Sequence, residues 1–241
     1  MVWRLINDLW IYKVGSPKAL IQFIGGSGLG TTPQLSYRRL LEALANQGWL
    51  IHAWPFVPSF DHQLLAVQAW QVFRKKQMNM DPMPCLRLGH SMGCKLNLLA
   101  PDQGRGCNGQ AHMSFNNYSA ERSIPLFNQL APRLGIVSEF SPGPTETMEI
   151  ISTIKAPKNQ LIIKFRDDQI DQSQQLLAAI EQNNDCSAQL LELVGDHLSP
   201  ASAGLRQQFL GGFNDGLRQR QINRLASSIT QWWNHQVSLR N

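Results

Sequence analysis

Pro84-Cys85-Leu86-Arg87-Leu88-Gly89-His90-Ser91-Met92-Gly93-Cys94-Lys95-Leu96-Asn97-Leu98-Leu99 is the stretch around which the chain is read. A short apolar run leads into Gly-x-Ser-x-Gly, and a second apolar run at helical spacing follows. Strand, sharp turn and helix are what a nucleophile elbow requires. Gly89 and Gly93 supply the close approach of strand and helix that a Cβ would block. Ser91 then stands at the tip of the turn, where the N-terminus of the following helix favours negative charge. A glycine-rich strand-to-helix turn with an ordinary serine is the competing reading.

Working outward, strands are expected over residues 8–14, 19–24, 49–56, 110–116, 160–165 and 188–194, with the elbow strand between the third and fourth. Helices are expected over residues 33–47, 62–77, 173–181 and 217–237. The first carries Leu35, Leu40, Leu41, Leu44 and Ala45 on one side, and the second is capped by Asp61. Strands and helices alternate through most of the chain. That predicts an α/β fold: a mainly parallel central sheet with helices on both faces, in a single domain over residues 1–241. Residues 119–157 break the alternation. Prolines at 125, 132, 142, 144 and 157 separate short apolar clusters, so this stretch reads as a lid-like insertion.

The composition is globular: 43% hydrophobic and 16% charged over 241 residues. No apolar run reaches the length of a membrane span, and residues 1–20 lack a signal-peptide core, which predicts a cytoplasmic chain. The four cysteines, Cys85, Cys94, Cys107 and Cys186, show no paired spacing and read as reduced thiols rather than a metal site. Neither a metal nor a cofactor is expected. The net charge of +5 owes much to Arg206, Arg218, Arg220, Arg224 and Arg240. A solvated basic face is the plain reading, with no nucleic acid as partner. Weak peripheral membrane contact, through this helix and Trp232-Trp233, is a further expectation.

After the strand over residues 19–24 comes Gly25-Gly26-Ser27-Gly28-Leu29-Gly30. No Gly-Lys-Ser/Thr follows, so it is not a Walker A loop. The next strand ends near Trp54-Pro55-Phe56 without the acid that a dinucleotide fingerprint needs. An oxyanion loop fits instead, because glycines let main-chain N–H groups approach a substrate. The expected donors are the Met92 N–H and one from Gly26 or Ser27.

A serine hydroxyl needs a base, and the base needs an acid to orient it. Of the six histidines, His197 alone sits in a short glycine-bearing loop after the last strand. His90, inside the elbow, is expected to pack or face the sheet edge. Asp168, at the end of the strand over residues 160–165, is the best-placed acid. Asp167 is the alternative, with a surface role beside Arg166. Asp171 is another, with a helix-capping role. The strand ending at Asn116-Asn117 offers no carboxylate. The order Ser91, Asp168, His197 is the order in which such sheets assemble a triad.

These residues together resemble the α/β-hydrolase superfamily over essentially the whole chain. More narrowly, Phe23-Ile24-Gly25-Gly26, Phe60-Asp61-His62, Gly89-His90-Ser91-Met92-Gly93-Cys94-Lys95-Leu96, Ser114-Phe115-Asn116-Asn117-Tyr118 and Lys164-Phe165-Arg166-Asp167-Asp168 resemble a hydrolase-like family of unknown function from photosynthetic microbes and plastids. The sequence lacks the His-Gly pair that common members carry before the oxyanion loop. The resemblance implies ester, thioester, amide or acyl-transfer chemistry at the serine. The leading expectation is a serine hydrolase that cleaves a small ester or thioester through an acyl-enzyme on Ser91. The apolar residues of the insertion, Ile124 to Phe140, point to an apolar acyl group. The alternatives are an acyltransferase at a lipid surface and a non-catalytic binding scaffold of the same fold.

Overall fold

The computed structural model describes residues 2–123, 139–153, 159–182, 187–201 and 215–238. The strands are β1 (Arg4–Ile6), β2 (Leu9–Tyr12), β3 (Ala19–Ile24), β4 (Trp49–Trp54), β5 (Cys85–His90), β6 (Gly109–Met113), β7 (Asn159–Phe165) and β8 (Ser187–Leu193). The helices are α1 (Pro33–Ser36), α2 (Arg38–Ala45), α3 (His62–Met78), α4 (Met92–Leu98), α5 (Ala120–Ser123), α6 (Pro144–Thr153), α7 (Ser173–Glu181) and α8 (Asp215–Ser238). The strands form one sheet in the order β1-β2-β4-β3-β5-β6-β7-β8. From β4 to β8 every neighbouring pair is parallel, and β2 joins antiparallel to β4.

Alternation along the parallel strands sorts the core into two layers. Ile21, Phe23, Leu86, Leu88, Ala111 and Ile163 face one side, where α2 and α8 cover them. Ile24 and Ile162 face the other, covered by α3 and α4 and by α4, α6 and α7 respectively. Trp232 and Trp233 of α8 belong to the first layer and are only 7% and 5% exposed. Their indoles fill the core against α2 and Trp49, so they are not the part of this helix that a membrane surface would meet. No helix among the described residues is long and apolar enough to cross a membrane.

The second layer contains a buried polar row that crosses the sheet. Register sets His52 beside Gln22, Gln22 beside Arg87, Arg87 beside Gln110, and Gln110 beside Gln160. All five are buried. Arg87 donates from Nε to Gln22 and from both terminal nitrogens to Asp102, at 2.7 Å each.

Three local readings need correction. β1 was not expected, because its residues are exposed and only pairing with β2 makes it a strand. The helix expected over residues 33–47 is two helices, broken at Tyr37, whose φ of −119° lies outside the helical range. Leu35, placed with the core leucines, is 55% exposed as a result. Of the expected insertion, α5, residues 139–143 and α6 are described. Residues 124–138 and 154–158, which hold Ile124, Leu126, Phe127, Leu130, Leu134, Ile136 and Val137, lie outside the described residues, as does Cys186. Cys85, Cys94 and Cys107 are free thiols.

Candidate active site

The site forms at the C-terminal ends of the parallel strands, and its centre is the turn from β5 to α4. Ser91 adopts φ 54° and ψ −122°, a conformation that a non-glycine residue holds only under constraint. The two glycines explain the constraint. A Cβ on Gly89 would lie 2.7 Å from the Cys94 nitrogen, and one on Gly93 would strike the Ile24 and Gly25 carbonyls. The turn is therefore wedged between α4 and the end of β3, with Ser91 at its apex.

Two loops bring partners to it. Asp168 follows β7 and His197 follows β8. His197 Nδ1 is 2.8 Å from Asp168 Oδ2, and Nε2 is 3.0 Å from Ser91 Oγ. A carboxylate only accepts, so Nδ1 carries the proton and Nε2 is free to accept from the serine hydroxyl. The other oxygen of Asp168 accepts from the Ile170 N–H. Burial raises the Asp168 pKa, but its hydrogen bonds with His197 and the Ile170 N–H outweigh it. The net effect holds the carboxyl below its ordinary value.

The rival acids are placed elsewhere. Asp171 accepts from the hydroxyl and the N–H of Ser173, and Asp167 is exposed. Arg166 lies 3.6 Å from Glu192 rather than pairing with Asp167. Asp196 Oδ1 accepts from the Leu198 N–H and the Ser199 hydroxyl.

His90 does more than pack. Its Nε2 lies 2.8 Å from the His197 carbonyl oxygen and its Nδ1 2.8 Å from Tyr37 Oη. The carbonyl can only accept, so Nε2 carries the proton, and Nδ1 accepts from the tyrosine hydroxyl. Tyr37 Oη in turn accepts from the Gly26 N–H at 2.8 Å. Burial, and then the neighbouring His197, push the His90 pKa down to about 3, so the ring is neutral. This chain ties the glycine loop, the elbow and the His197 loop together. It also bears on one expectation: the Gly26 N–H is already donated to Tyr37, so of the two N–H groups expected from that loop Gly26 is engaged within the protein. No feature of the sequence near Tyr37 marked this role. The break between α1 and α2 turns its hydroxyl toward His90.

A cavity of about 660 Å³ opens over Ser91. Met92, Leu29, Phe60, Phe140, Ile170 and Leu198 supply apolar lining. Lys95, one turn along α4, is 1% exposed, and its Nζ donates to the Pro142 carbonyl at 2.8 Å. That bond holds residues 139–142 over the site. The spacing Met92, Lys95, Leu96, Leu99 puts a lysine on an apolar helix stripe, which was the available signal. Among the described residues no three His, Cys, Asp or Glu side chains converge where a metal would sit.

A family model described as "Protein of unknown function (DUF1350)" matches residues 2–234. The chain belongs to this family. No curated protein matches the sequence of this DUF1350 member. Solved structures do resemble it. The thioesterase domain from the curacin biosynthetic pathway aligns with a TM-score of 0.59 at 13% identity, covering 95% of this chain and 98% of that one. A monoacylglycerol lipase from Paleococcus ferrophilus gives 0.57 at 14% identity, covering 92% and 99%. The esterase domain of a Rhodothermus marinus protein gives 0.58 at 15% identity, covering 93% and 90%. At these identities the likeness is one of fold, and the fold is that of the α/β-hydrolases.

Proposed function

We propose that this chain is a serine hydrolase that cleaves a small carboxylic ester or thioester. Ser91 is the nucleophile, His197 the base and Asp168 the acid that orients it. The observation that carries this reading is the bridge made by His197, with Ser91 Oγ at 3.0 Å on one side and Asp168 Oδ2 at 2.8 Å on the other. His197 Nε2 takes the Ser91 proton as Oγ attacks the acyl carbon. The bond to the leaving group then breaks, and His197 returns the proton to the departing oxygen or sulfur. Water, deprotonated by the same nitrogen, releases the acid and restores the serine. The Met92 and Ser27 N–H groups hold the developing oxyanion.

The apolar lining beside Ser91 supports an apolar acyl group. The narrower likeness, to a family of photosynthetic microbes and plastids, is part of this proposal and rests on the motif residues. The two alternatives draw less support. A non-catalytic scaffold has no need of Ser91, His197 and Asp168 within hydrogen-bond reach, and a lipid-surface role loses the buried Trp232 and Trp233.

The test is a fluorophosphonate probe on the purified protein and on Ser91→Ala and His197→Ala. Labelling of the parent that is lost in both variants is expected. A folded parent that does not label would overturn the proposal.

A further inference from the structure

The cations around the cavity meet no carboxylate among the described residues. Some basic side chains elsewhere in the described residues do meet carboxylates: Arg38 with Glu42, Arg87 with Asp102, and both Lys164 and Arg166 with Glu192. Three cations line the cavity: Lys95, Arg122 and Arg218. None of the three has a carboxylate within ion-pair distance among the described residues. Lys95 donates to a main-chain carbonyl, with Glu139 and Glu146 acting on it only at longer range. The Arg122 guanidinium lies 3.7 Å from the Tyr118 ring centroid, a contact that orients its fork without neutralising it. Asp196 is the only acid among the described lining residues, and it accepts from Leu198 and Ser199 rather than pairing with any of the three cations.

The same wall holds a second unmatched group. His62 lines the cavity, is 3% exposed and stacks on Phe140 at 4.2 Å. Neither of its ring nitrogens has a hydrogen-bond partner among the described residues. Buried polar atoms normally have partners, so this wall has donor capacity that the protein itself does not use.

Given the hydrolase reading, on which this rests, we infer that the substrate is an anionic ester or thioester. A carboxylate or phosphate, set apart from the scissile carbonyl, meets Arg122 and Arg218 while the apolar part lies on Phe140, Phe60 and Met92. A cavity with unpaired cations in low-dielectric walls attracts anions, and the planar guanidinium fork suits carboxylate and phosphate geometry. A pocket for an uncharged acyl chain would gain nothing from three unpaired cations.

Two matched pairs of substrates test this at low ionic strength. In one the anion is on the acyl side: 4-nitrophenyl hydrogen adipate against its methyl-capped diester. In the other it is on the leaving group: butyryl-coenzyme A against butyryl-N-acetylcysteamine. The expected result is a kcat/KM ratio of roughly tenfold or more in favour of the anionic member of at least one pair. That ratio falls as salt is added and falls several-fold in Arg122→Gln and Arg218→Gln. The pair that responds locates the anion. If the protein labels with a neutral fluorophosphonate yet shows no preference in either pair, the anionic substrate is overturned and the serine chemistry stands. If it neither labels nor turns over any of the four, the hydrolase reading fails and the substrate class fails with it.

Discussion

The imidazole of His90 is hydrogen-bonded, at 2.8 Å, to the main-chain carbonyl of His197. The residue just before Ser91 thus grips the loop that carries the serine's neighbour, and the two rings lie 5.1 Å apart. His90→Phe keeps a ring in the space and removes both hydrogen bonds. A small displacement of His197 then costs reaction rate more than binding. The expected result with a 4-nitrophenyl ester is a kcat lower by roughly 10- to 100-fold with KM little changed. An equal loss in both parameters would assign His90 a different role.

Tyr37→Phe removes one oxygen and leaves two buried groups unpaired, the Gly26 N–H and His90 Nδ1. Urea denaturation should show a loss of about 1–3 kcal/mol. Burial raises the Tyr37 pKa, so the phenol stays protonated through the neutral range and the chain of hydrogen bonds persists there.

Asp168→Asn preserves the shape of the site but not its proton order, because the amide can donate to Nδ1 and turn the histidine toward the wrong tautomer. The rate of fluorophosphonate labelling and kcat should both fall by about 10³- to 10⁴-fold. Circular dichroism should be unchanged.

Lys95 gives a stability signal at alkaline pH. Burial lowers its pKa from 10.5 to about 8, against the opposing pull of Glu139 and Glu146. Between those values the unfolded chain holds the proton more tightly, so this group's contribution to stability rises with pH through that window. Subtracting the profile of Lys95→Met from that of the parent should expose a rise from about pH 8 to pH 10.5. The buried cysteines and Tyr37, whose pKa values are raised, push both proteins the opposite way and cancel in the difference.

The Arg87–Asp102 pair predicts the acid side. Burial raises the Asp102 pKa, but the two hydrogen bonds and the charge of Arg87, helped by the Gly104 and Gly106 N–H groups, bring it below 3.8. The contribution is complete above the ordinary value and is lost as pH falls through the lower folded one. Asp102→Asn leaves a guanidinium buried without its counter-charge. It should cost about 3–5 kcal/mol by chemical denaturation and should remove this part of the acid slope.

Much of this was legible because it is local. Gly89, Ser91 and Gly93 spell a turn, and apolar runs on either side spell strand and helix. Asp168 and His197 could be chosen because each ends a readable strand and the order of the three is fixed by the sheet. What escaped depends on distance along the chain. Tyr37 and His90 are 53 residues apart, and only the packed sheet shows that a hydroxyl reaches a ring nitrogen. The same contact takes the Gly26 N–H, which the sequence offered equally with Ser27. β1 escaped for the opposite reason: three exposed residues carry no periodicity, and their strand character comes from β2 alone.

The polar row across the sheet sets the height of each strand against its neighbours. Sliding β5 by two residues along β3 would leave every side chain on its proper face, yet Arg87 would then stand beside Leu20 or Ile24 in place of Gln22. Apolar alternation is blind to such a slip, and a guanidinium is not. The row acts as a ruler drawn across five strands. Because it holds β5 and β7 level, the loops that carry Ser91 and Asp168 start from a common height, and only the loop after β8 has to reach across to join them.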